Sequence, residues 1–176
     1  MVTEQNKTLR ALQMAIQMEI DGKQYYLKVS RESSNRIGKE LLQSLAAEED
    51  IHRQKFEEIY GAIRNKKDWP ITGFQPDGGR GLRTVFARAT EEMGAVAKAS
   101  TTELDAIETA MGMENKTYDF YKNQSKKATY DAERDFYEAL AAQERGHHAV
   151  LLDYYEYLKN PAGWFVKKEH PSLDGN

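Results

Sequence analysis

Apolar side chains recur every three to four residues along two long stretches of the chain, which is the spacing of one face of an α-helix. The first stretch contains Leu9, Leu12 and Ile16, and the second contains Leu41, Leu45 and Phe56. Between them, Ser33-Ser34-Asn35 interrupts the pattern and offers side chains that can cap the start of the second helix. We therefore predict a helical hairpin over about residues 7–63.

The same pattern returns 95 positions later. Ala15 to Tyr26 aligns without a gap on Ala110 to Tyr121, and Leu45 to His52 aligns on Leu140 to His147. A repeat of this length is a supersecondary unit, so we predict a second hairpin over about residues 101–158. Ser100 and Glu103 form a capping box, which predicts where the first helix of this hairpin begins. Thr129 lies 95 positions after Ser34, so we predict that it caps the second helix of this hairpin.

The segments outside the two hairpins are less regular. In the crossover, residues 64–100, the Pro- and Gly-containing stretch 65–81 predicts a loop, and apolar spacing over 82–98 predicts a short amphipathic helix. We expect the tail from Asn160 to Asn176 to be nonhelical and to pack on the bundle through Trp164 and Phe165. The sequence thus predicts an all-α four-helix bundle that forms one domain over residues 1–176.

Side chains that can bind metal follow the repeat. Glu19, Glu49 and His52 recur as Glu114, Glu144 and His147. In each Glu-x-x-His motif the carboxylate and the imidazole lie on one helix face, about 5–6 Å apart at Cβ. Each glutamate lies fifteen residues from its hairpin turn, so antiparallel helices bring all four carboxylates to one height, roughly 22 Å from the turn. Because the two sets of three ligands lie at the same height in the bundle, the sequence predicts a single site that binds two metal ions.

The charge of these residues indicates what they bind. Four carboxylates in a bundle core are destabilising unless cations accompany them, and two divalent ions would neutralise them. Mixed oxygen and nitrogen ligands without thiolate favour iron, with manganese and zinc as alternatives. His148 could also ligate on spacing, but its repeat equivalent is Arg53, which favours His147. The competing interpretation is a duplicated bundle that has lost its metal.

Net charge and hydropathy limit the partners and the location. A net charge of −3 and a pI near 5.9 argue against a nucleic-acid partner. The chain has no run of eighteen apolar residues and its first ten residues are mostly polar, so we expect neither a membrane span nor a secretory signal. We accordingly expect a cytoplasmic protein.

With these six residues in this spacing, the chain resembles the rubrerythrin branch of the ferritin-like di-iron proteins. The resemblance implies a ferritin-like four-helix bundle, in which a long crossover joins the second and third helices. It also implies a role for each ligand: terminal carboxylates at Glu19 and Glu114, bridging carboxylates at Glu49 and Glu144, and terminal nitrogen ligands at His52 and His147. Such proteins commonly form dimers, and we expect a homodimer here.

Two departures from the family pattern affect the expected chemistry. Rubrerythrins typically carry a further glutamate three residues after the single glutamate of the third helix. Here that position is Thr117, and its repeat partner is Gly22. They also typically carry a rubredoxin domain with cysteine-ligated iron, whereas this sequence has no cysteine. Electrons are therefore expected from an external donor such as a rubredoxin-like protein.

The function predicted from these observations is a di-iron oxidoreductase that reduces hydrogen peroxide or dioxygen. Ferritin-like iron oxidation and storage is one alternative, and a non-enzymatic metal-binding bundle is another. Tyr26 and Tyr121 each lie seven residues after a single-glutamate position and on the same helix face. They are candidates for hydrogen bonds that orient the ligand carboxylates. The alternative is that both tyrosines only pack in the core.

Overall fold

The computed structural model describes residues 3–95 and 99–169, and every regular element in them is a helix. The helices are α1 (Glu4–Glu32), α2 (Arg36–Arg64), α3 (Arg80–Met93), α4 (Thr101–Lys127), α5 (Asp131–Lys159) and α6 (Pro161–Glu169). The predicted all-α, ferritin-like bundle is confirmed: α1 packs along α2, and α4 packs along α5. None of the described helices is long and apolar enough to cross a membrane.

Side-chain caps define most of the long-helix starts. The Asn35 side chain accepts the Gly38 N–H at 2.8 Å, and Ser100 Oγ accepts the Glu103 N–H at 3.3 Å, as the polar turn and the capping box predict. The prediction that Thr129 caps α5 is wrong. Tyr130 is the N-cap and makes no side-chain capping bond. Glu133 reaches back instead, and its carboxylate accepts the Thr129 N–H at 3.1 Å.

Two apolar clusters fill the bundle, and the long helices contribute to both. The cluster nearer the α1–α2 turn includes Leu41, Leu45, Ile107 and Val150. The cluster nearer the other end includes Leu12, Phe56, Tyr121 and Leu140. Along each long helix the acidic and histidine residues of the repeat lie between these two clusters. The polar site is therefore enclosed from both ends of the bundle by packed side chains.

The crossover combines the predicted loop and the predicted short helix. After α2 the chain runs without regular structure to Gly79, and α3 then buries Leu82, Phe86 and Ala89 against the bundle. The helix ends at Met93, before a glycine with φ of 63° at Gly94. The predicted helix extended to 98, and residues 96–98 lie outside the described part of the chain.

The crossover loop touches α5 backbone to backbone at Gly146. A Cβ built on Gly146 would lie 2.5 Å from Gly78 O and 2.7 Å from Gly79 N, closer than real side chains approach backbone atoms. Only glycine fits at this position of α5. The repeat equivalent, Ile51, is 50% exposed, so the loop closes over α5 and leaves the matching surface of α2 open.

The tail prediction is wrong over Pro161–Glu169, which forms α6. Proline is favourable at the first position of a helix, and the Asn160 side chain accepts the Gly163 N–H at 3.0 Å, so the two residues start a new helix. The expected aromatic packing is present: the Trp164 ring lies 5.7 Å from Phe86, and the Phe165 ring lies 6.3 Å from Tyr157, between centroids. Residues 170–176 lie outside the described range.

Candidate metal centre

The six side chains singled out by the repeat meet in the middle of the bundle. Single glutamates come from α1 and α4, and a Glu-x-x-His pair comes from each of α2 and α5. None of the six is more than 3% exposed. The glutamates lie at the same distance from the turn on all four long helices. Four carboxylates and two imidazoles therefore meet in one buried space, as the equal distances from the two turns predict.

The ligand atoms form two overlapping groups. The first consists of Glu19, Glu49, His52 and Glu144, and the second consists of Glu49, Glu114, Glu144 and His147. Within each group, one ligand atom from each residue lies within 4.8 Å of the corresponding atoms of the other three. Glu49 and Glu144 belong to both groups. The arrangement is that of two adjacent cation positions that share two carboxylates.

Both imidazoles turn the same nitrogen into the cluster. His52 Nδ1 lies 3.4 Å from Glu19 Oε2 and 3.5 Å from Glu144 Oε1. His147 Nδ1 lies 3.0 Å from Glu49 Oε1 and 3.6 Å from Glu114 Oε2. The two rings are nearly parallel, with an interplanar angle of 9° and centroids 5.6 Å apart. Each half-site therefore presents one nitrogen donor to its own group of carboxylates.

The inward-facing atoms lack protein partners. Among the described residues, nine buried side-chain nitrogen and oxygen atoms have no hydrogen bond, and seven of the nine belong to these six residues. Both oxygens of Glu144 and Nδ1 of both histidines are among them. Unsatisfied buried polar groups are costly, so such a concentration needs a compensating ligand. A pair of divalent cations with oxygen and nitrogen preference fits this donor set.

The site's electrostatics divide the four glutamates into two pairs. Burial and neighbouring carboxylates hold the pKa of Glu49 and of Glu144 well above the ordinary value. Burial would also raise the pKa of Glu19 and Glu114, but the adjacent histidines and hydrogen bonds lower both below it. Without metal, the shared glutamates therefore keep their protons to higher pH than the other two. Cation binding must then release protons.

The comparison with protein families agrees with this geometry. The family model described as Rubrerythrin matches residues 10–155, a range that includes all six residues. The chain belongs to the rubrerythrin family. No match was found among curated proteins or among solved structures.

The two candidate tyrosines of this rubrerythrin-family chain contact the site across the hairpins. The Tyr26 hydroxyl of α1 donates to Glu114 Oε1 of α4, and the Tyr121 hydroxyl of α4 donates to Glu19 Oε1 of α1. Burial and nearby carboxylates raise the pKa of both tyrosines well above the ordinary value, so both keep their protons as donors. Each tyrosine thus fixes one oxygen of a glutamate whose other oxygen faces the cluster.

Sequence reasoning missed a contact between Glu48 and His147. Its Oε2 lies 2.8 Å from His147 Nε2, the nitrogen that faces away from the cluster. Burial would raise the pKa of Glu48, but the contact with His147 lowers it, so we assign the N–H donor to the imidazole. In the sequence, Glu48 aligns with Gln143 across the repeat, so the two halves differ at this position. That mismatch was the available signal for an asymmetric contact.

The two ends of the imidazole pair differ in their access to solvent. A pocket of about 260 Å³ lies at the His52 side, and its lining includes Ile51, Phe74 and Asp77. On the His147 side the crossover loop lies against Gly146, and the His147 side chain has no exposed surface. His52 therefore lines the pocket directly, whereas His147 does not. Glu48, which contacts His147 Nε2, lines the same pocket together with Gln143.

The positions that depart from the family pattern add no carboxylate. Thr117 donates its hydroxyl to the backbone carbonyl of Met113 at 3.0 Å, and a Cβ built on Gly22 would lie 3.2 Å from Glu49 Oε2. His148, the alternative nitrogen ligand, is partly exposed and belongs to neither ligand group. The six residues predicted from the repeat therefore account for both groups in the described chain.

Proposed function

We propose that the protein is a di-iron oxidoreductase that reduces hydrogen peroxide or dioxygen with electrons from an external donor. The observation that carries the proposal is the pair of overlapping four-residue groups that share Glu49 and Glu144 inside the core. An iron pair bound there would supply two electrons, the number needed to split an O–O bond. Membership of the rubrerythrin family supports the same chemistry.

The protein's own residues would hold and orient the ions. Glu19 with His52, and Glu114 with His147, are the terminal pairs, and Glu49 and Glu144 are the shared carboxylates. Tyr26 and Tyr121 hold the outer oxygens of the terminal glutamates, which fixes the direction of the inner oxygens. The apolar clusters on either side exclude water, so the ligands keep this geometry in a medium of low dielectric constant.

The donor set favours iron over the alternatives. Four carboxylates and two imidazoles suit iron and manganese, and zinc is compatible with the same ligands, while no thiolate is present in the sequence. Two ions would exactly offset the charge of four ionised carboxylates, a balance that all three metals satisfy. Only a redox-active ion can transfer electrons, which excludes zinc, and iron is proposed over manganese because the chain belongs to the rubrerythrin family.

The pocket beside His52 is the proposed entrance for the oxidant. Peroxide and dioxygen are small enough for a space of about 260 Å³, and the pocket reaches the imidazole at the edge of the site. Electrons would come from a separate protein such as a rubredoxin-like donor, because this sequence lacks the cysteines of a rubredoxin centre. We further propose a cytoplasmic homodimer.

Anaerobic Fe(II) loading followed by separate additions of peroxide and dioxygen tests the proposal. We expect two Fe(II) per chain, rapid oxidation of the pair by one of the oxidants, and repeated turnover when a reductant is added. Glu57→Ala, on the exposed surface of α2, should behave like the unaltered protein. Iron accumulation beyond two per chain in a large cage would instead support storage, and metal binding without turnover would support the non-enzymatic bundle.

A further inference from the structure

The two halves of the site differ in what holds their imidazoles, although the ligands themselves repeat. Outside the cluster, His147 Nε2 lies 2.8 Å from Glu48 Oε2. The His52 ring instead meets Phe74 edge to face, with centroids 5.6 Å apart. Among the described residues, no carboxylate other than Glu19 and Glu144 lies within ion-pair distance of His52. Only one histidine therefore has an outer carboxylate.

Glu48 is itself held in place. Gln143 Nε2 donates to Glu48 Oε2 at 2.5 Å, and Gln143 Oε1 accepts the Gly78 N–H at 2.9 Å. Gly78 belongs to the crossover segment that packs against Gly146. A continuous series of hydrogen bonds thus links the crossover loop to His147 through Gln143 and Glu48. If Glu48 turned away from His147, its Oε2 would also lose the hydrogen bond from Gln143.

A carboxylate on the outer nitrogen changes what a histidine offers a metal. It fixes the tautomer that leaves the inner nitrogen free to ligate, fixes the ring orientation and raises the basicity of the ligand. Loss of such a partner typically costs ~10–100-fold in metal affinity. His147 has this support and His52 does not. Equal ligand sets should therefore bind with unequal strength.

We propose that Glu48 is a positioning residue that makes the metal position at His147 the tighter of the two, so that the ions load in a fixed order. The inference rests on the proposed paired metal site and adds an asymmetry to it. The position at His147, whose ring has no exposed surface and contacts Glu48, takes the first ion. The second ion adds at His52, on the side that borders the pocket.

Titration of the metal-free full chain with Co²⁺ alone tests this order. His52→Ala retains the position at His147, and His147→Ala retains the position at His52. Each variant is made with and without Glu48→Gln, and the dissociation constant and the Co²⁺ absorption spectrum are recorded. Glu57→Gln is the matched control, because it makes the same chemical change on an exposed side of α2, where Glu57 pairs with Arg53.

We expect His52→Ala to bind one Co²⁺ more tightly than His147→Ala does. Adding Glu48→Gln should weaken the first variant by ~10–100-fold, leave the second unchanged and alter the Co²⁺ spectrum only in the first. Equal weakening of both variants, or of neither, would overturn the proposed order. A general loss of packing would affect both variants alike, so the difference between them separates positioning from a structural role.

The unaltered chain provides a test that needs no histidine replacement. It should bind two Co²⁺ in two steps, and Glu48→Gln should weaken the tighter step while the Glu57→Gln control keeps both. Fewer than two Co²⁺ in the unaltered chain would contradict the paired site itself. Two Co²⁺ whose tighter step is the same in Glu48→Gln would contradict only the role of Glu48.

Discussion

Glu49 and Glu144 differ in position from the other two glutamates of the cluster. Each belongs to both ligand groups, whereas Glu19 and Glu114 belong to one each. They are also the two whose pKa is raised by burial and neighbouring carboxylates. A pair of cations would replace the protons that these two carry in the metal-free protein, and would be separated by their carboxylates.

Glu49→Ala or Glu144→Ala should therefore abolish paired metal binding. Without a shared carboxylate, two divalent ions would repel each other across the site with less negative charge between them. Iron bound per chain after anaerobic loading and desalting is the measurement, with Glu57→Ala as the control that should retain two. Two ions retained in both variants would reject the assignment of the shared ligands.

Because residue 117 is a threonine, we predict that the ligands of the iron ions stay the same during turnover. The resemblance to rubrerythrins implies that a glutamate at this position would receive an iron that leaves its histidine, and Thr117 has no carboxylate to offer. We expect His52 and His147 to ligate in both the reduced and the oxidised protein, while Thr117→Glu should let one iron move on oxidation. Crystal structures of both states decide this. A metal displacement well beyond ordinary bond adjustment in the unaltered protein would contradict the prediction.

At the residue scale, the sequence predicted which side chains cluster between the hairpins but not all of their contacts. The repeat placed the six candidate ligands and the two tyrosines on the right faces. It did not show that Tyr26 reaches Glu114 rather than Glu19 of its own helix, because that contact depends on how α1 approaches α4. Glu48 was missed for the same reason: its partner His147 lies 99 positions away.

At the scale of elements, the contact between the crossover loop and α5 is the least tolerant of change. Gly146→Ala places a methyl group where Gly78 and Gly79 already lie. We expect a loss of roughly 1–3 kcal/mol in the free energy of unfolding, as for other overpacked sites. Urea unfolding, with secondary structure followed by circular dichroism, provides the value.

Gly112→Ala is the matched control for this prediction. Gly112 is also inside a long helix, but a Cβ built there meets nothing within 4 Å. Replacement of such a glycine by alanine should stabilise the helix by roughly 0.5–1 kcal/mol. If Gly146→Ala were stabilising to the same degree, the close approach of loop and helix would be wrong.

The long helices could be predicted because their apolar spacing and their turns agree. The end of the chain could not: the pattern of Pro161, Trp164 and Phe165 suggested irregular structure, whereas Asn160 and Pro161 start α6. Thr129 failed as a cap because α5 begins at Asp131, one residue too late for Thr129 to be the capping residue, and the Glu133 carboxylate binds the Thr129 N–H instead. Helix ends depend on single hydrogen bonds, and several side chains near a turn can compete to make them.

At the scale of the whole molecule, the buried charges link stability to pH. In the metal-free protein the pKa values of Glu49, Glu144 and His147 are raised. Groups with a raised folded-state pKa stabilise the fold at low pH, and that contribution is lost as pH rises toward the folded-state pKa. The lowered pKa values of Glu19 and Glu114 stabilise the fold above the ordinary glutamate range, and that contribution changes with pH only as the pH falls below this range.

The metal-free protein should consequently lose stability between about pH 5 and about pH 8, relative to the metal-loaded form. Each group that is protonated when folded and ionised when unfolded contributes a slope of about 1.4 kcal/mol per pH unit. Urea unfolding in the presence of a chelator, repeated with metal, measures the difference. A free energy of unfolding that is flat over this interval without metal would argue against a close carboxylate cluster.

The central claim is that two metal ions bind between the hairpins and share Glu49 and Glu144. A crystal structure of the Fe(II)-loaded protein, with anomalous scattering recorded on both sides of the iron absorption edge, tests it most directly. We predict two iron peaks, one beside His52 and Glu19 and the other beside His147 and Glu114, with both shared glutamates contacting both ions. A single peak, or iron bound only outside these six residues, would contradict the account.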